Sequence, residues 1–294
     1  NTMALEKANI TNGYVYGPGG LVELDADGNP NGIFREQASK IYDNLIPAPF
    51  LVPATREKCM KKGLALASSL GVTMMHTYAA EIWHYDEDFA DYVARSDRGE
   101  LPVRMAVCLD YMFDPENLTP EQRNDPYRAA RMGSFKSFSD GSLGSRSAKL
   151  YTDYADDPGN TGILVISPED LAKRMYKAYR HGLQPATHCI GDKALEVTLD
   201  AGEYCLQQGL KDGMTPEEQA KRLPFRIIHA QMATPELIER MKKLPIVLDI
   251  QPTFLMTDLH WIEERVGKER AVLSYPWKTY LDAGLIMAGG SDAP

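Results

Sequence analysis

The chain has 294 residues, a formal net charge of −9, 44% hydrophobic residues and 25% charged residues. This composition is that of an ordinary globular protein, and the length is sufficient for one large α/β domain. The acidic balance argues against nucleic acid or an anionic membrane as the main partner, since both require basic patches. We therefore expect no nucleic-acid and no membrane partner.

Cysteine usage and the absence of targeting signals point to a reducing compartment. No CxxC pair is present, which argues against a zinc ribbon or a disulfide framework. The sequence has no signal-peptide pattern and no uninterrupted apolar run of membrane-spanning length. These features predict a cytoplasmic protein. The four cysteines are Cys59, Cys108, Cys189 and Cys205.

Residues 1–50 are rich in glycine, asparagine and proline, and turn signals occur at 17–20, 27–30 and 31–32. They predict a loop-rich region with short strands, distinct from the domain that follows. Residues 1–8 have a helical pattern without an initiating methionine. We expect the chain to begin in the middle of a structure.

Residues 51–294 alternate between helical patterns and short apolar runs, which is typical of repeated βα units. The first helix is predicted over residues 54–70 and ends at Gly71. Four helix starts carry Ser or Thr followed by Pro and Glu, a capping pattern: Thr119, Ser167, Thr215 and Thr234. Seven strands are predicted, near 72–76, 102–109, 134–139, 183–189, 226–230, 246–250 and 285–290.

Four of these predicted strands carry a polar residue of a type that binds metals. Lys136 lies inside an apolar run, where an unpaired ammonium is costly, so we expect it to be paired, modified or metal-bound. His188, His229 and Asp292 close three later runs. Each residue taken singly has an ordinary structural explanation, but their repetition at strand ends predicts a metal site.

Two architectures fit parallel strands with intervening helices, an open doubly wound sheet and a closed (β/α)8 barrel. In a barrel, ligands from many strand ends meet at one mouth, whereas an open sheet gathers them only at its switch point. The four candidates therefore favour the barrel. No GxGxxG or GxxxxGK[ST] motif supports phosphate binding, and no 20–50-residue repeat supports a solenoid.

The remaining histidines carry weaker signals. His76 closes a predicted strand but has no acidic or histidine neighbour in sequence, so the pattern leaves its role open. His84, His181 and His260 lie on or beside helical patterns. They are predicted to be solvated or to line the rim of a pocket.

At these motifs the sequence resembles the amidohydrolase superfamily, and within it the amidohydrolase-3 branch that contains N-substituted formamide deformylases and exoenzyme-regulation homologues. The resemblance covers essentially the whole chain. The matching stretches are 136–148 (KSFSDGSLGSRSA), 188–194 (HCIGDKA), 226–231 (RIIHAQ), 249–252 (DIQP) and 283–284 through 290–294 (GSDAP), with 1–5 and 28–32 in the leading region.

The resemblance implies a metal-dependent hydrolase barrel that acts on a small-molecule substrate and cleaves C–N bonds in amides, N-formyl compounds or cyclic amides. It implies one or two divalent metal ions, zinc first and iron or manganese next. Lys136 corresponds to a lysine that ligates after carboxylation, His188 and His229 to histidine ligands, and Asp292 to the last ligand and proton shuttle. Asp140, Arg146 and Gln251 lie in matching stretches and are expected to bind substrate.

One departure from the family is that the His-x-His motif of its first strand does not occur in this sequence. The flanking β-sandwich also has no matching segment, so the chain resembles strands 2 to 8 of the barrel with residues 1–50 as an insertion. Such a portion is expected to bind metal weakly and to hydrolyse nothing. Its two unpaired strand edges could pair with another copy or with residues 1–50.

Two other functions compete with hydrolysis. A metal-poor barrel portion could serve only as a structural or interaction domain, which the missing His-x-His motif favours. Deamination on the same barrel would require a general acid on a strand end, and no HxE motif supports it. Metal analysis and a panel of N-acyl and N-formyl amines would separate these alternatives.

Overall fold

The computed structural model describes residues 2–42, 45, 52–79, 85–110 and 127–292. The leading region contains a short helix, an antiparallel β-hairpin and a 3-10 helix around a small apolar cluster. These elements are α1 (Thr2–Lys7), β1 (Gly20–Leu24), β2 (Pro30–Glu36) and the 3-10 helix Gln37–Tyr42. The predicted division of the chain at residue 50 stays a prediction.

Seven parallel strands form one sheet in which every strand pairs with its neighbour in sequence, in the order β3 to β9. The order never reverses, so the sheet has no switch point and is not doubly wound. It is an incomplete (β/α)8 barrel, as the sequence predicts. The strands are β3 (Met74–Ala79), β4 (Arg104–Asp110), β5 (Ala130–Phe138), β6 (Pro185–Cys189), β7 (Phe225–His229), β8 (Ile246–Ile250) and β9 (Met287–Gly289).

Helices connect these strands and cover one face of the sheet. They are α2 (Pro53–Ser69), α3 (Tyr85–Asp97), α4 (Pro168–Arg180), α5 (Asp192–Lys211), α6 (Pro216–Ala220), α7 (Pro235–Met241), α8 (Phe254–Asp258), α9 (Ile262–Val266), α10 (Lys268–Ala271) and α11 (Trp277–Asp282). Within the described ranges, no helix combines the length and apolar composition needed to cross a membrane.

Local sequence signals account for the starts and ends of several helices. Ser167, Thr215 and Thr234 each accept a hydrogen bond from a backbone N–H three residues later, as predicted for N-caps. Thr119 lies outside the described residues. Helix α2 ends before Gly71, which has φ +79, the left-handed conformation that glycine tolerates best.

The helix-covered face of the sheet carries the main apolar core. Alternate strand residues such as Ile227 and Leu248 pack against α4, α5 and α7, while Met105, Val107 and Phe135 pack against α2 and α3. This outer face follows the period-2 pattern of a strand. The strand residues that alternate with these outer ones face the inside of the barrel.

Candidate active site

Lys136 faces the barrel interior because β5 contains a bulge. On β4, Val107 and Leu109 are two residues apart, but their partners on β5, Met132 and Phe135, are three apart. Met132 and Phe135 both belong to the outer core, so the extra residue reverses the alternation between them. Lys136 is thereby turned to the inner face, opposite the helix-packed Phe135.

The side chain of Lys136 is buried beside two aromatic rings. Its Nζ lies 4.8 Å from the Phe138 ring centroid and 5.7 Å from that of Tyr78. Among the described residues it makes no hydrogen bond and no ion pair. Burial, the main cause, lowers the pKa of Lys136 to about 8. The predicted buried lysine is therefore present, with an amine that loses its proton more readily than usual.

His188 comes from the next strand, directly opposite Phe138. Its Nε2 lies 3.0 Å from the backbone carbonyl oxygen of Gly141. A carbonyl can only accept, so Nε2 carries the proton and Nδ1 carries the lone pair. Burial lowers the pKa of His188, and the neighbouring His229 and Lys136 lower it further, so the imidazole is neutral at pH 7.

His229 ends β7 and breaks the alternation of that strand. Phe225 and Ile227, of the same parity, lie in the outer core. His229 has φ +74, however, and its ring centroid lies 4.5 Å from that of His188. The left-handed backbone thus allows a residue of outer parity to reach the inner site. Burial, followed by the charge of Lys136, lowers the pKa of His229.

Asp292 follows β9 and completes the four predicted residues. Its Oδ2 lies 3.9 Å from His229 Nε2, and its side chain is 54% exposed. It has φ +54. The structure thus brings Lys136, His188, His229 and Asp292 to the same end of the sheet, on its inner face.

These side chains offer donors that suit a divalent metal. Two neutral imidazoles and a carboxylate are the ligand types that zinc prefers. In the part of the chain that the structure describes, however, no three His, Cys, Asp or Glu side chains form a metal-binding cluster. The two imidazoles fit a metal, and Asp292 approaches only one of them. Lys136 lies close enough to both histidines for its charge to lower their pKa values.

Asp140 lies beneath the loops around the site. It is 1% exposed, and its carboxylate accepts backbone N–H bonds from Lys149, Ile190 and Gly191 at 2.8–3.1 Å. Burial raises the pKa of Asp140 to about 7 against these bonds, which favour the charged form. The predicted substrate contact of Asp140 stays a prediction, and the geometry favours a role in holding the loops after β5 and β6 together.

Arg146 and Gln251, also predicted to bind substrate, make protein contacts. Arg146 forms a two-pronged ion pair with Asp156, and Arg265 also contacts Asp156. Gln251 is 5% exposed, and its Oε1 lies 2.7 Å from His229 Nδ1. Gln251 thus contacts the site itself, whereas the described contacts of Arg146 are with a neighbouring loop.

The other four histidines, whose roles the sequence left open or placed away from the metal, lie in different parts of the chain. Strand β3 continues three residues beyond His76, so His76 is within the strand and not at its end. Its pKa is lowered by burial and by Arg226. His181 is the C-cap residue of α4, and His260 is exposed. His84 lies outside the described residues.

The barrel interior also contains a polar pair that the sequence patterns above do not predict, Arg226 and Asp249. Arg226 binds Asp249 through two hydrogen bonds of 2.5 and 2.9 Å and also reaches Gln184 Oε1 at 3.3 Å. Arg226 and Asp249 are each a charged residue inside an apolar strand run, which is the pattern that also singles out Lys136. The same pattern, sought in every predicted strand, therefore indicates Arg226 and Asp249 as well.

The amidohydrolase family model matches residues 1–294. The putative amidohydrolase YtcJ of Bacillus subtilis is 32% identical over 301 residues, covering 100% of this chain and 53% of that protein. The protein LONG AFTER FAR-RED 3 of Arabidopsis thaliana is 38% identical over 309 residues, covering 100% of this chain and 50% of that protein. The chain therefore spans about half the length of the curated relatives it matches.

Two solved structures share the fold. An uncharacterized metal-dependent hydrolase from Pyrococcus furiosus superposes with a TM-score of 0.73 at 26% identity, covering all of this chain and 56% of that one. A hydrolase of the same description from Pyrococcus horikoshii OT3 gives 0.71 at 26% identity, covering 100% and 54%. With a family match over its full length and these hydrolases as structural relatives, the chain belongs to the amidohydrolase family.

Proposed function

We propose that the protein is a metal-dependent amidohydrolase that cleaves a C–N bond in an amide, an N-formyl compound or a cyclic amide. The observation that carries this proposal is the pair His188 and His229. Their rings lie 4.5 Å apart in a buried site, and one nitrogen of each is hydrogen-bonded to a protein oxygen. Metal-bound histidines have this arrangement, because the outer bond fixes the ring and leaves the other nitrogen for the metal.

The residues that would hold the metal are His188, His229, Lys136 and Asp292. Zinc is the first candidate, and iron or manganese are the next, in one or two ions. When bound, such a metal lowers the pKa of a coordinated water to about 7 and polarises the carbonyl of the substrate.

Lys136 would bind as its carbamate. The lowered pKa leaves more free amine at neutral pH, and the Nζ lone pair can attack CO2, forming an N–C bond and releasing a proton. The product is an anion with two oxygen donors. Carboxylation also replaces a buried cation, whose desolvation is costly, with an anion that a metal can bind.

Asp292 would serve as general base and then as general acid. Its exposed carboxylate, 3.9 Å from His229 Nε2, can contact both the site and an entering substrate. It takes the proton from the attacking water and returns it to the leaving amine. Because the Asp292 side chain is partly exposed, water and substrate can reach its carboxylate from solvent.

The test uses the whole protein, stripped with a chelator and reloaded separately with zinc, manganese or iron. Metal content is measured first, and then turnover of a panel of N-formyl amines, N-acyl amines and cyclic amides. Metal-dependent release of amine or ring opening is expected. Asp292→Asn should lower turnover by about 10²-fold or more, with the melting temperature unchanged. Metal content is measured on the same variant, so that loss of a ligand is distinguished from loss of the proton carrier.

Three outcomes would contradict the proposal. Stoichiometric metal without turnover on any of the panel would favour a structural or interaction role. Equal turnover in the stripped and reloaded protein would exclude metal dependence. Wild-type turnover in Asp292→Asn would remove Asp292 from proton transfer while leaving the metal assignment intact.

A further inference from the structure

Gln251 is the residue after β8 and contacts a candidate metal ligand. Its Oε1 lies 2.7 Å from Nδ1 of His229, and its Nε2 donates to the backbone carbonyl of Asp249 at 3.0 Å. Gln251 and His229 are 5% and 4% exposed. Both groups are therefore shielded from water that could replace these bonds.

The two bonds together determine where the proton of His229 lies. The Asp249 carbonyl can only accept, so the amide of Gln251 must direct its NH2 group there. The Oε1 atom is then the one that faces His229, and it too can only accept. Nδ1 of His229 therefore carries the proton, and Nε2 presents its lone pair towards Asp292, 3.9 Å away.

His188 is fixed in the opposite way, through the main chain. Its Nε2–H donates to the Gly141 carbonyl, which leaves Nδ1 free. The two rings thus present different nitrogens, one held by a backbone oxygen and one by a side chain. Of these two acceptors, only that on Gln251 can be removed by a substitution.

We propose that Gln251 is a positioning residue that holds His229 as the Nδ1–H tautomer and so directs Nε2 into the site. Only the metal-binding use of this tautomer rests on the proposed function, because the tautomer itself exists without metal. The substrate contact expected for Gln251 from the sequence is a different role, because the Oε1 atom is engaged by the imidazole.

The test reads the tautomer directly, by long-range ¹H–¹⁵N correlation spectra of the metal-free whole protein labelled at histidine nitrogens. Wild type and Gln251→Glu, which retains an acceptor, should show a protonated Nδ1 on His229. Gln251→Met removes the acceptor at similar length, and the Nδ1–H form should be lost or mixed with the Nε2–H form. His188 serves as the internal control, because its Nε2–H signal should be the same in all three proteins.

Zinc affinity provides the second measurement. Gln251→Met should weaken zinc binding by roughly 10- to 100-fold, the usual effect of losing a partner of a metal-bound histidine. Gln251→Glu should stay much closer to wild type.

The inference is overturned if wild-type His229 carries its proton on Nε2, or if Gln251→Met keeps the Nδ1–H form. Should Gln251→Met fail to fold, the wild-type spectrum alone decides. If the tautomers change as expected but the wild type binds no zinc, the positioning role stands and the proposed metal-dependent function fails.

Discussion

The two faces of the seven-stranded sheet are maintained by different means. The outer face is apolar: Ile227 and Leu248 lie in one helix-packed cluster, and Phe135 lies in a second. The inner face carries buried polar groups, and Lys136 and His229 reach it only where the strand geometry is irregular. Burial of apolar surface stabilises the outer face, whereas the inner face includes charge whose burial opposes folding.

On strand β5, the adjacent residues Phe135 and Lys136 point to opposite faces of the sheet. Its bulge lies next to Gly133, where an added Cβ would lie 3.1 Å from the backbone of Ala106 and from Cys108 Sγ. Glycine fits this crowded position without displacing its neighbours. One local irregularity thus separates a residue that stabilises the fold, Phe135, from one that faces the candidate site, Lys136.

The largest expected effect is on the outer face. Phe135 is 1% exposed in the core against α2 and α3. Phe135→Ala should lower the free energy of unfolding by about 3–5 kcal/mol, through lost burial and the cavity that remains. Urea denaturation of the metal-free protein measures this loss.

The matched control is on the same strand, three residues later. Phe138 is only partly buried and lies on the inner face, 5.2 Å from the His188 ring centroid. Phe138→Ala should cost less stability than Phe135→Ala but weaken zinc binding more. Equal losses of stability in the two variants would contradict the division between the faces.

The second-largest expected effect is a gain, and not a loss, in the free energy of unfolding. Lys136→Met replaces a buried cation with an apolar side chain of similar length. The fall in pKa from 10.5 to about 8 corresponds to roughly 3 kcal/mol of unfavourable free energy at pH 7, so the metal-free variant should be more stable by about 2–3 kcal/mol. Activity and zinc binding should be lost.

The dependence on pH distinguishes charge burial from better packing. Below about pH 8 the lysine is charged in both folded and unfolded states, and the full penalty applies. As the pH rises towards 10.5 the unfolded state also loses its proton, and the penalty disappears. The stability difference between Lys136→Met and wild type should therefore shrink to about 1 kcal/mol near pH 10. A constant difference would mean that packing, and not charge, is responsible.

The same contrast explains what could be predicted from sequence. The seven strands and three of the four predicted helix caps follow from periodicity and local chemistry, and their predicted positions lie within a few residues of those observed. The direction of Lys136 and His229 does not follow, because it depends on a bulge and on a positive φ. Period-2 alternation taken from Phe225 and Ile227 would place His229 on the outer face.

Other contacts in the site depend on pairing between distant segments. The bond of Gln251 to His229 joins residues 22 positions apart, and that of Asp140 to Gly191 joins residues 51 apart. Neither residue has a sequence pattern that reveals its partner. Family resemblance marked both as site residues, but only the register of the parallel strands brings each to its partner.

The smallest expected effect concerns a local feature of the outer layer. Ser167 caps α4, accepting a hydrogen bond from the Asp170 amide at 3.1 Å, and α4 inserts Leu171 and Met175 into the main core. Ser167→Ala should lower the free energy of unfolding by about 1 kcal/mol, and Ser167→Thr should keep most of it. Because the cap acts on a helix and not on the inner face, zinc affinity and the His188 and His229 tautomers should not change. A loss of zinc binding in Ser167→Ala would show that the two faces are coupled through α4, contrary to the separation argued above.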